Sequence, residues 1–178
     1  MIYPAPLKKG DKIAIISPAS HIRHEYVDAA CRIIAEWGYV PVVSEHCKGS
    51  RGTYSGTVEE RLADLTAALI DSSVRAIICS RGGYGVVHLL DLIDPEIIRS
   101  NPKWVIGFSD ISAMHAAMHR CGIASIHSPM TKQFAVGGAD DECIVALRNI
   151  LEGHLPGYCE PSGISSSAVS PSSCCFAP

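Results

Sequence analysis

Trp104-Val105-Ile106-Gly107-Phe108-Ser109-Asp110-Ile111-Ser112 is the stretch on which the reading of the fold turns. Trp104 to Ile106 is a short apolar run of the β type, and Gly107 interrupts it with a tight turn. Beyond the turn, Ile111, Met114, His115 and Met118 recur on one helical face. Ser109 therefore stands at a strand-to-helix joint, with its hydroxyl turned outward beside the first helical N–H groups. Those donors, and the positive end of the helix, suit a developing negative charge. Two readings are open at this point. One is a nucleophile elbow that departs from G-x-S-x-G by carrying Ile111 where the second glycine belongs. The other is a plain helix cap made by Ser109 or Asp110.

Outward from this joint the same alternation repeats. On the N-terminal side, Lys12 to Ser17 reads as a strand and His24 to Trp37 as a helix. Gly38 ends that helix where a left-handed residue is wanted. Tyr39 to Val43 is a second strand. Thr57 and Glu60 form a capping box for a helix with Val58, Leu62, Leu65 and Leu69 on its buried stripe. Ala76 to Cys79 is a continuously apolar strand, the pattern of a parallel sheet covered on both faces. Helical segments follow, one through Leu92 and one from Pro95 to Ser100. On the C-terminal side, Ala124 to Ser128 is a fifth strand, Pro129 to Gly138 a loop, and Asp140 to Glu152 a last helix. The alternation predicts an α/β fold: a doubly wound, flavodoxin-like parallel sheet of about five strands with helices on both faces. Ligands of such sheets bind at the carboxyl ends of the strands. Ser17–Ser20, Ser80–Gly85 and Gly107–Asp110 all fall there.

A chain of 178 residues, 47% hydrophobic and 19% charged, is globular in composition and long enough for one domain, placed at residues 1–155. A net charge of −3 without a basic run argues against nucleic acid. No apolar stretch reaches membrane-spanning length, and Met1 to Pro6 lacks the pattern of a secretory leader. A cytoplasmic location is the default expectation. The eight cysteines include no C-x-x-C pair and read as free thiols. Residues 156–178 hold seven serines, four prolines and one charged residue, Glu160, with no apolar period; this tail is expected to be disordered.

Three further features bear on chemistry. Arg81-Gly82-Gly83-Tyr84-Gly85 lets backbone approach a ligand closely, either as a tight turn or as a binding loop, without a Walker or G-x-G-x-x-G pattern. His115 and His119 have a zinc-compatible spacing, but Ala116 stands where the metalloprotease signature needs glutamate. His127 ends the fifth strand. If that strand neighbours the fourth, it lies about 5 Å sideways from the joint, as a base for Ser109 or as a loop anchor.

Together, Ser17-Pro18-Ala19-Ser20, Arg81-Gly82-Gly83-Tyr84-Gly85, Gly107-Phe108-Ser109-Asp110 and His127-Ser128-Pro129-Met130 resemble the amino-terminal half of the LD-carboxypeptidases. These serine peptidases, relatives of the microcin-immunity hydrolases, trim the terminal D-alanine from murein tetrapeptides in cell-wall recycling. The resemblance spans roughly residues 1–156 and departs at Ser128, where the family has glycine. It implies Ser109 as nucleophile and backbone N–H groups of Gly82, Gly83 and Asp110 as the oxyanion hole. Ser17, Arg81, Tyr84 and His127 are implied as pocket residues. It further implies a murein peptide substrate, no metal or organic cofactor, and a possible homodimer of the full-length form. The family's catalytic glutamate and histidine belong to a second domain, so this chain is expected to be truncated and inactive alone. A flavodoxin-like module holding a small ligand over Gly82–Gly85 and an inert truncation product are the alternatives.

Overall fold

Five short parallel strands form one sheet in the order β2-β1-β3-β4-β5. They are β1 (Lys12–Ile16), β2 (Val40–Val43), β3 (Val74–Cys79), β4 (Trp104–Gly107) and β5 (Ile126–His127). The computed structural model describes residues 1–154, so the expectation for residues 156–178 lies outside the described residues. The doubly wound parallel sheet expected from the alternation is the architecture found.

The inner strands β1, β3 and β4 are mostly apolar, apart from Lys12 and Arg75 near their starts, because each face of the sheet there meets helices. Ile13, Ile15, Ala76, Ile78, Trp104 and Ile106 pack on one side with Val27 and Ile34 of α1 (His24–Glu36) and Leu147 and Leu151 of α7 (Glu142–Leu151). Their alternates Ala14, Ile16, Ile77, Cys79 and Val105 face the other side. There they meet Leu65 and Leu69 of α2 (Val58–Ile70) and Leu89 of α3 (Val87–Leu90). Ile98 of α4 (Pro95–Ser100) and Met114 and Met118 of α5 (Ser112–Arg120) complete that side. Period-2 alternation thus divides the apolar residues of each inner strand between two cores. Pro41, which has no N–H to donate, is tolerated because β2 is an edge strand.

Local signals behave as their chemistry requires. Thr57 Oγ1 accepts from Glu60 N at 3.1 Å, while the Glu60 carboxylate accepts from Thr57 N at 2.7 Å, closing the capping box. Gly38 takes a φ of +85° after α1.

The stretch expected to be a loop from Pro129 to Gly138 instead contains a helix, α6 (Thr131–Gly137). Seven residues cannot hold a helix by propensity alone. Tertiary contacts hold it: Phe134 is buried with its ring centroid 5.7 Å from that of Trp37, and Thr131 Oγ1 donates to Ser80 O at 2.8 Å. β5 is also shorter than Ala124–Ser128, pairing with β4 only through Ile106–Ile126 and Gly107–His127.

Candidate active site at the carboxyl edge of the sheet

At the end of β4 only glycine fits position 107, since an added Cβ would lie 2.9 Å from the Ile111 side chain. The carbonyl of Gly107 is held by two donors, Ser128 N at 3.2 Å and His115 Nε2 at 2.9 Å. The chain then turns through Ser109, whose φ of +63° makes it the one non-glycine with positive φ among the described residues. For an L-residue that conformation costs about 1–2 kcal/mol, and the surrounding contacts must enforce it. Ser109 is exposed, opens a single 3₁₀ turn (Ser109–Ile111), and its hydroxyl bonds to no other described residue. Neither it nor Asp110 caps α5. The Asp110 carboxylate accepts instead from Val86 N, at 3.0 Å, across the gap to the glycine loop. The helix-cap reading therefore gives way to a strained, outward-facing serine on an elbow.

The glycine loop closes against this elbow. A Cβ on Gly82 would stand 3.0 Å from Ser109 Cβ and 3.2 Å from Asp110 N, so the two backbones are nearly in contact. Gly83 and Gly85 have φ of +110° and +131°, and a Cβ on Gly83 would overlap Ser20 Oγ. Ser20 N donates to Gly82 O at 3.2 Å, and the exposed Arg81 donates through Nη1 to His21 O at 3.0 Å. The N–H groups of Gly82, Gly83 and Asp110 donate to no other described residue. Loops from β1, β3 and β4 therefore meet at the carboxyl edge of the sheet, beside the β1/β3 switch point.

Four side chains expected around a pocket are placed differently from one another. Tyr84 is 58% exposed, its ring edge-on to His88 at 5.2 Å. His127 is exposed at the end of β5, beside the Phe108 ring at 6.1 Å and the His115 ring at 6.0 Å; it makes no hydrogen bond to Ser109. Arg81 lies over the β1 loop as described. Ser17 is buried, and its hydroxyl bonds to Cys47 O at 2.6 Å and Ser80 Oγ at 2.5 Å, so it fastens the loops from beneath.

His115 and His119 do not converge. His119 is exposed, whereas His115 turns in under the elbow, and both of its ring nitrogens are engaged. Nε2 meets a carbonyl and must carry the proton, so Nδ1 accepts from Ser125 Oγ at 2.8 Å. Burial, ahead of every other influence, lowers the His115 pKa. An unfolded histidine protonates near pH ~6.5, so below that the unfolded chain binds more protons and stability falls with pH. The raised pKa of His46, hydrogen-bonded to Asp64, acts in the opposite sense, its contribution fading as pH rises. Thermal melts from pH 7 down to pH 5 should therefore lose less stability in His115→Gln than in wild type. Parallel slopes would contradict the role assigned to His115.

Sequence patterning missed Arg61. It sits on the inner face of α2, 2% exposed, and its Nη1 donates to Pro18 O at 2.8 Å and Gly85 O at 3.0 Å. An arginine among leucines reads as a polar-face residue; only the loops folding over it make it interior. The guanidinium lies 4.9 Å from the Tyr54 ring and helps line a cavity of about 630 Å³ with Arg51, Thr57, Val58 and His88. Ser109 is not among the residues in the wall of that cavity. The cysteines nearby are inert: Cys47 and Cys79 are buried free thiols, and burial pushes the Cys47 pKa up to about 11.

Residues 13–128 match the LD-carboxypeptidase N-terminal domain of the S66 peptidases. The chain belongs to the LD-carboxypeptidase family. It is 37% identical over 120 residues to the murein tetrapeptide carboxypeptidase of Pseudomonas aeruginosa, a match covering 67% of this chain and 39% of that one. It is 36% identical over 128 residues to the probable murein peptide carboxypeptidase of Bacillus subtilis, covering 71% and 40%. A crystal structure of an MccF-like protein from Bacillus anthracis superposes with a TM-score of 0.79 at 30% identity, covering 85% of this chain and 47% of that chain. The chain thus spans less than half the length of these relatives. None of its described helices is long and apolar enough to cross a membrane.

Proposed function

We propose that this chain carries the nucleophile half of a serine-type LD-carboxypeptidase that releases terminal D-alanine from murein tetrapeptides in cytoplasmic cell-wall recycling. The observation carrying the proposal is Ser109, exposed at positive φ on the elbow with Gly82 packed against it. Ser109 Oγ attacks the carbonyl carbon of the L,D-amide, and its proton passes to a base. The oxyanion accepts from the unengaged N–H groups of Gly82, Gly83 and Asp110. Collapse of the intermediate breaks the C–N bond, the D-alanine amine leaves with a proton, and water hydrolyses the acyl-serine. Arg81, Tyr84 and His127 border the same edge and are the substrate-facing side chains of this half. No described residue stands within hydrogen-bonding reach of the Ser109 hydroxyl, and the resemblance to the LD-carboxypeptidases assigns the base to a histidine of their second domain. The printed names of the murein peptide carboxypeptidases support the substrate class.

A chimera tests this reading. Residues 1–154 would be joined to the remaining part of the Pseudomonas aeruginosa relative. D-alanine release from murein tetrapeptide is expected, lowered about a thousandfold or more by Ser109→Ala. A folded chimera whose activity survives Ser109→Ala would remove Ser109 from the nucleophile role.

A further inference from the structure

One peptide unit of the glycine loop is gripped from both ends by opposite charges. The carbonyl of Gly85 accepts from Arg61 Nη1 at 3.0 Å, and the N–H of the same peptide, on Val86, donates to Asp110 Oδ2 at 3.0 Å. Arg61 reaches it from α2 and Asp110 from the elbow, so three separate elements converge on one amide plane. Glycine at 85, with φ of +131°, leaves the N-terminal side of this peptide loosely constrained. Val86, at φ of −59°, fixes which way the peptide faces. The two charged side chains then hold that plane in place, one on its carbonyl and one on its N–H.

We propose that Arg61 and Asp110 are positioning residues that clamp the Gly85–Val86 peptide and thereby fix Gly82 and Gly83 against Ser109. The inference rests on the nucleophile reading above and adds to it what holds the donor loop in register. Asp110 is covalently next to Ser109, so any movement of the elbow is transmitted to the loop through the Val86 hydrogen bond. Arg61 is fastened in turn to Pro18 O and, through Nε, to Thr57 O, so the clamp is anchored in the β1 loop and in the first turn of α2. Among the described residues Arg61 forms no salt bridge, and its charge is spent on backbone carbonyls and on the Tyr54 ring. A buried guanidinium arranged in this way orients dipoles.

The test uses the full chain and needs no turnover. Hydrogen exchange at the Val86 amide and the resonances of Gly82 and Gly83 are measured by NMR in wild type, Asp110→Ala, Asp110→Asn, Arg61→Met and Arg61→Lys. Loss of one charge-assisted bond should speed Val86 exchange about tenfold. The Gly82 and Gly83 signals should broaden or double, while Val105 and Ile106 in β4 stay protected. Asn at 110 and Lys at 61 should restore part of the protection, because each keeps one bond to the peptide; a merely space-filling role would not show that rescue. If Arg61→Met does not fold, the Asp110 pair and Arg61→Lys still decide. Unchanged Val86 exchange and unchanged Gly82 and Gly83 signals in Asp110→Ala would overturn the clamp whatever the chimera does. An inactive chimera alongside a loosened loop would strike the nucleophile reading and leave the clamp standing.

Discussion

Purified as the 178-residue chain, the protein should release D-alanine from a murein tetrapeptide at roughly a thousandth of the chimera's rate or less. A serine hydroxyl is a weak nucleophile until a base takes its proton, and the Ser109 hydroxyl has no such partner among the described residues. His127 is the nearest substitute by sequence logic, one strand over in register with Gly107. Its ring packs beside Phe108 and His115 instead, and no described carboxylate holds it. What remains is the elbow and its backbone donors, and serine peptidases stripped of their base keep only a small residue of catalysis from such groups. The measurement is D-alanine release by wild type, Ser109→Ala and His127→Ala. Fast turnover lost in both variants would make His127 the base and overturn the assignment of that role to a group outside the described residues.

Gly83→Ala should destabilise the fold by about 3 kcal/mol, whereas Gly82→Ala should spare stability and injure the elbow. At position 83 the new Cβ would lie 2.1 Å from Ser20 Oγ and 2.8 Å from Ser20 Cβ, at a φ of +110° that side chains rarely adopt. Strain of this kind costs about 1–3 kcal/mol, and overpacking adds about as much again. A fall in Tm of about 10 °C would follow for a domain of this size. Adding Ser20→Gly should return the packing part and leave the backbone part. At position 82 the contacts are 3.0–3.2 Å, to Ser109 Cβ, Asp110 N and Phe108 O, so a shift of a few tenths of an ångström relieves them. That shift moves the proposed nucleophile from its donors. In the chimera the expected signature is a tenfold or greater loss of kcat with Tm nearly unchanged. Equal Tm values for Gly83→Ala and wild type would contradict the packing around Ser20.

Much of this molecule was legible before folding was considered. The apolar runs of the inner strands, the Thr57–Glu60 capping box and the glycines at 38 and 107 are set by local chemistry, since dihedral preference and hydrophobic period act within a few residues. The position of Ser109 at a strand-to-helix turn follows from the same signals. Its choice between cap and elbow does not. That was decided by Asp110 turning away to Val86 and by Gly82 filling the space beside it.

What only the tertiary structure decided is everything that depends on residues far apart in sequence becoming neighbours. The order β2-β1-β3-β4-β5 brings the ends of β1, β3 and β4 together, and no periodicity encodes that order. α6 exists because Phe134 finds Trp37, a contact across nearly a hundred residues that a window of local pattern cannot contain. Ser17 ends a strand at the edge where ligands bind, and only the 44–56 segment, which brings Cys47 over it, makes it interior. Arg61 shows the limit most plainly. Its charge marks it as a surface residue, and only the loops closing over α2 supply the carbonyls that make its burial affordable. Local chemistry sets the strands and the capped helices, because dihedral preference and hydrophobic period act within a few residues; burial and long-range hydrogen bonds, which depend on the whole chain at once, decide α6 and which residues meet.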